Sequence, residues 1–164
     1  MNTNDPWQAA IGMILDELVV GPPEEFSFVL NPGDHGLVPL MRSLDADAAT
    51  TPPGSDRCSI AQHAAHLAYA LNLFERWAGG EENPFATADW DASWRIDVPD
   101  EGAWNAFVDR LEISARACAA AVRGPNRWDE ISRAGAVGSV AHVSYHVGAI
   151  RQILAVTGVG RPGC

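Results

Sequence analysis

The sequence predicts an all-α protein arranged as a four-helix bundle. Apolar residues recur at alternating three- and four-residue intervals in four long stretches, glycine and proline clusters separate them, and no segment alternates with period two for long enough to be a strand. The 164 residues, 47% of them hydrophobic, suit a single domain spanning 1–164 that can bury one full core.

Asp5 and Pro6 read as an N-cap followed by a first-turn proline, and Trp7, Ile11, Ile14, Leu15 and Leu18 then keep helical spacing until Gly21-Pro22-Pro23. A second stripe, Leu37, Leu40, Met41, Leu44 and Ala48, runs between the turn Asn31-Pro32-Gly33-Asp34 and the stop Thr51-Pro52-Pro53-Gly54. Together these two N-terminal pieces are expected to supply one of the four helices. Ser59-Ile60-Ala61-Gln62 has the form of a capping box. Behind it Ile60, Ala64, Leu67, Leu71, Phe74 and Ala78 predict a helix closed by Gly79-Gly80. A connection of roughly twenty residues follows, rich in Trp and Asp, longer than the usual link of about 4–6 and so a crossover or a functional cover. Trp104, Val108, Leu111, Ala115, Cys118 and Val122 predict the third core helix, stopped by Gly124-Pro125. The last opens at Gly138-Ser139, carries Val140, Val143, Val147, Ile150 and Leu154, and ends at Gly158.

Eleven basic residues against twenty-one acidic ones give a net charge of −10, a field that repels phosphate backbones and argues against nucleic-acid partners. All the basic residues are arginine. Without lysine there is no Schiff-base chemistry, no phosphate-loop lysine and no Ser–Lys nucleophile. No apolar run is long enough to span a membrane, and Met1 to Trp7 lacks the blocks of a signal peptide. Three widely spaced cysteines, Cys58, Cys118 and Cys164, point to a reducing cytoplasm.

Four of the five histidines fall on two predicted helices: His63 and His66, then His142 and His146. The spacing of the second pair places both imidazoles on one helical face, one turn apart, as two ligands of a single metal require. His142-Val-Ser-Tyr-His146 lacks a glutamate beside the first histidine, so it is not the zincin motif. On a helical wheel His63 lies roughly 60° and His66 roughly 120° from the centre of their apolar stripe, which makes His63 the more inward of the two. Imidazoles on such flanks can converge where two helices pack, and three of them leave coordination positions open. The competing reading is a set of hydrogen-bonded histidines with no metal.

Ser59-Ile60-Ala61-Gln62-His63-Ala64-Ala65-His66-Leu67 resembles the S-I-x-x-H-x-x-H-L helix of the DinB/YfiT-like superfamily, and His142-Val143-Ser144-Tyr145-His146-Val147-Gly148-Ala149-Ile150 is similar to its C-terminal H-x-x-x-H-x-G-Q-I helix. The likeness covers most of residues 36–157, including the spacing between the motifs. It implies a four-helix bundle with a long connection between the second and third core helices. It also implies a divalent metal, zinc or nickel, on three histidines; by motif position these are His66, His142 and His146, with His63 as neighbour or substitute. The chain departs from the family's pattern at Ala149, where glutamine is usual, and at Tyr69, where an acidic residue is usual.

Several other residues are candidate site components. Cys58 and His63 make a poor thiolate–imidazole pair at a helix start, and Cys118 falls in an apolar stripe. Trp7, Trp77 and Trp104 fit packing positions, whereas Trp90, Trp94 and Trp128 lie in irregular segments that suit packing, a pocket or a subunit interface. Glu75, Asp89, Asp91 and Asp129 are the acids that could serve as general bases, Arg151 could meet an anionic group or an ion pair, and Tyr69 and Tyr145 could orient a water.

The expected function is a metal-dependent enzyme acting on a small molecule: a thiol S-transferase of the mycothiol or bacillithiol type, or a hydrolase. No particular residue is assigned as catalytic. The alternative is a non-catalytic, stress-associated helical bundle with a structural or vestigial metal. Aromatics outside the helices suggest a homodimer.

Overall fold

Every regular element of the described residues is helical. The computed structural model describes residues 6–124 and 128–158, so the expected cap Asp5, stop Pro125 and thiol Cys164 lie outside them. The helices are α1 (Pro6–Val20), α2 (Leu37–Arg42), α3 (Ala46–Thr50), α4 (Ile60–Ala78), α5 (Glu101–Arg123) and α6 (Glu130–Thr157). The four long ones form the bundle: α4 packs on α5 and α6, and so does α1. No helix of the described residues is long and apolar enough to cross a membrane.

The apolar stripes read from the sequence are the ones that bury. Leu15 and Leu18 of α1, Leu67 and Phe74 of α4, Trp104, Leu111 and Cys118 of α5, and Val143, Val147 and Ile150 of α6 all enter the core. Residues 37–50 do not complete the first bundle helix; α1 fills that position alone. The stripe breaks after Arg42, and Asp45 starts α3 as its N-cap, accepting from the Ala48 amide at 2.8 Å. The Leu44 carbonyl at that break accepts from the buried Trp104 indole at 2.9 Å, which anchors the two short helices on α5.

The expected capping box is present. Ser59 Oγ accepts from the Gln62 amide, and the Ser59 amide donates to Gln62 Oε1 at 2.9 Å, so α4 begins at a fixed residue. Helix α6 departs from expectation: it starts at Glu130, two turns before Gly138. Asp129 caps it by accepting from the Ser132 amide, and Gly135 lies against the Trp77 indole, where a Cβ would come within 2.3 Å of Trp77 Cζ3. Gly138, expected to open the helix, thus sits inside it, as does Gly135, because the cap at Asp129 sets the helix start. Gly158 ends α6 in the left-handed conformation, φ 70°, as a C-terminal glycine does.

One buried charge secures the loop after α1. Glu17, 2% exposed, accepts from the amides of Phe28, Val29 and Leu30 at 2.7–2.9 Å. Burial pushes its pKa up, but the three N–H donors outweigh it and hold the carboxyl below its ordinary value.

Candidate metal centre

Helices α4 and α6 lie against each other with His66 opposite His142 and Trp77 opposite Gly135, so their chains run in opposite directions. That register brings all four helix-borne histidines together. His146 is nearly sealed at 1% exposure, and its two ring nitrogens face two other imidazoles: Nδ1 lies 3.0 Å from His63 Nδ1, and Nε2 lies 2.9 Å from His142 Nε2. His66, His142 and His146 each offer a ring nitrogen within 4.8 Å of the others, a group that could hold a metal ion. Zinc–nitrogen bonds of about 2.0–2.1 Å place ligand nitrogens roughly 3–4 Å apart, so the donor set fits an ion after a small side-chain adjustment.

The connection between α4 and α5 covers the cluster. It contains two 3₁₀ turns, Pro84–Thr87 and Ala92–Trp94. Trp94 stacks on His66 with ring centroids 4.1 Å apart and planes 15° off parallel, and Trp90 lies 5.7 Å from the same imidazole. Beneath them the buried Ser93 fixes a proton. Its hydroxyl is 2.5 Å from the Trp90 carbonyl, which can only accept, so the hydroxyl proton goes there. The 2.7 Å contact with His66 Nδ1 is then an N–H donated to Ser93 Oγ, which leaves the His66 lone pair on Nε2. A similar argument defines His63. When His146 turns its Nε2 lone pair to the cluster, its proton is on Nδ1 and donates to His63 Nδ1. His63 orients His146 and stands outside the three-residue group.

Burial keeps these imidazoles neutral. It lowers the pKa of His63 and His142, and with the neighbouring histidines lowers that of His66; His146, buried among all three, is brought down to about 3. Neutral imidazole is the form that ligates a metal.

The wheel placed His63 further inward than His66, whereas His66 is the more buried, at 9% exposure. Its cover is Trp94 and Ser93 from the connection, which a wheel of α4 does not contain. Trp128 lines no part of the cluster: it packs edge-on against Trp7 at 5.2 Å and stacks near Phe74. The Tyr69 hydroxyl accepts from the Asp89 amide and pins the connection, while Tyr145 is 66% exposed with its ring edge toward His146. Asp89 and Asp129 cap turns, accepting from the Ala92 and Ser132 amides. Arg151 pairs with Asp34 at 2.6 Å and donates to the His35 carbonyl. Cys118 is sealed in the core with its thiol pushed up to about 12 by burial and then by Glu75, which leaves it unreactive; Cys58 is a half-buried free thiol. Ser93 is the residue that sequence reasoning missed. It lies in a stretch without periodicity, and only its place between Trp90 and Trp94 marks it.

No protein-family model, curated protein or solved structure matches this chain.

Proposed function

We propose that the chain is a DinB-like metalloprotein that binds one divalent ion, zinc or nickel, on His66, His142 and His146, and that it acts as a metal-dependent transferase or hydrolase on a small molecule. The observation that carries this reading is the convergence of three neutral ring nitrogens from two helices within 4.8 Å, beside an open cleft. A divalent ion on three imidazoles supplies Lewis acidity that lowers the pKa of a water or thiol. The chain's own residues set the conditions. Ser93 holds His66 with its Nε2 lone pair free, His63 accepts from His146 Nδ1 when the His146 Nε2 lone pair faces the cluster, and Trp94 excludes water from one side. Cobalt substitution tests the reading: the visible spectrum of the cobalt protein should change on addition of a small thiol, and an unchanged spectrum at millimolar thiol removes the thiol-transfer branch.

One observation favours a second reading. Among the described residues no carboxylate lines the cleft beside His66 and His142, so no general base adjoins the cluster there. A bundle holding a structural metal and no activity accounts for that. A zinc-loaded protein inert toward a panel of thiol-transfer and ester substrates would favour it.

A further inference from the structure

A cleft of about 590 Å³ opens from the histidine cluster along the α4–α6 seam. Helix α4 lines it with His66, Ala70, Phe74 and Trp77, α6 with Ile131, Gly135, Gly138, Ser139 and His142, and the connection adds Phe85 and Trp90. Twelve residues of each helix, His66 to Trp77 and Ile131 to His142, span eleven helical rises and give a groove roughly 16 Å long. Small residues keep it hollow. A Cβ added at Gly138 would meet nothing within 4 Å, and Ala70 faces the same space. A glycine inside a helix weakens it by up to about 1 kcal/mol against alanine, so an open groove at Gly138 is a costly feature with no packing reason.

The lining chemistry selects the ligand. Aromatic rings wall the cleft, and its only titratable lining groups among the described residues are His66 and His142, both at one end. The Ser139 hydroxyl donates to the Gly135 carbonyl and offers no free proton. Among the described residues no arginine lines it, and the chain as a whole carries −10. A carboxylate, sulfonate or phosphate on the body of a ligand would meet no cationic side chain among these lining residues.

We infer that this cleft is a binding site for an uncharged small molecule with a flat aromatic or aliphatic body, seated with its one polar end at His66 and His142. The volume matches the usual range for small-molecule sites. The direction of the polar end rests on the metal reading above; the apolar body does not. The test uses the full chain without added metal and two fluorescent probes of the same aromatic body, uncharged N-phenylnaphthylamine and its anionic counterpart anilinonaphthalene sulfonate. The uncharged probe should bind once per chain, at least tenfold tighter than the sulfonate. Gly138→Leu, which fills the groove, should weaken it at least tenfold, and Ile131→Glu, a change at a 72% exposed position, should weaken it independently if the first variant fails to fold. Sulfonate binding as tight as that of the uncharged probe, or folded variants that bind like the wild type, overturns the inference. Zinc uptake measured on the same samples keeps the two readings apart: a wild type that binds the probe but no zinc refutes the metal centre and supports the cleft.

Discussion

Ser93→Ala removes one hydroxyl from beneath the histidine cluster and should cost metal affinity without unfolding the bundle. In the wild type that oxygen accepts from His66 Nδ1 at 2.7 Å and donates to the Trp90 carbonyl at 2.5 Å. Both partners lose a bond when it goes. His66 is then free to take the Nε2–H tautomer or to rotate, and either turns its lone pair from the cluster. Loss of such an orienting partner reduces metal affinity about 10–100-fold, which is roughly 1.4–2.7 kcal/mol. The buried unpartnered groups also cost the metal-free protein about 1–3 kcal/mol. The assay is zinc affinity by competition with a chromophoric chelator, with helix content by circular dichroism as control. A variant with native helix content and zinc affinity within twofold of the wild type would show that Ser93 does not position His66.

Glu17→Gln exchanges a carboxylate that accepts three amide protons for an amide with its own donors, so the melting temperature should drop by several degrees; an unchanged value contradicts the charge-assisted loop. Gly135→Ala should destabilise by about 1–3 kcal/mol because its Cβ meets the Trp77 ring, while Gly138→Ala should stabilise by up to about 1 kcal/mol; thermal melts showing the same sign for both would refute the packing described. Because burial lowers the pKa of each of the four clustered histidines, protons compete for the ligands only below the ordinary value near 6.5. Zinc affinity should therefore hold between pH 7.5 and 6.5 and weaken further down, and a tenfold loss already at pH 6.5 contradicts that. The metal-free protein should follow the same sign. The unfolded chain takes up protons first, so stability is full above about 6.5 and declines toward the folded value of about 3 for His146, by a total on the order of 5 kcal/mol for that residue. Urea midpoints at pH 7 and pH 5 read the first part of that loss, about 2 kcal/mol, and equal stability at the two pH values contradicts it.

The bundle was legible because its signals are local. The four-three stripes of α1, α4 and α5 and the capping box before Ile60 place apolar faces and a helix start that the structure keeps. The miss at α6 has a tertiary cause: Gly135 belongs in the helix because Trp77, fifty-eight positions earlier, needs the space of its missing side chain. The histidine cluster was half legible. A one-turn spacing on a predicted helix shows that His142 and His146 share a face, but the choice between His63 and His66 depends on what lies over them. That cover is Trp94 and Ser93, in a connection whose path follows from contacts with α4 rather than from any repeat in its sequence.

Metal stoichiometry tests the account most directly. The full chain, incubated with zinc or nickel and dialysed, should retain one ion per chain by elemental analysis, His142→Ala and His146→Ala should retain none, and His63→Ala should keep much of it. A wild type that retains no ion after incubation with either metal contradicts the account, and so does a His66→Ala variant that keeps the ion while His63→Ala loses it.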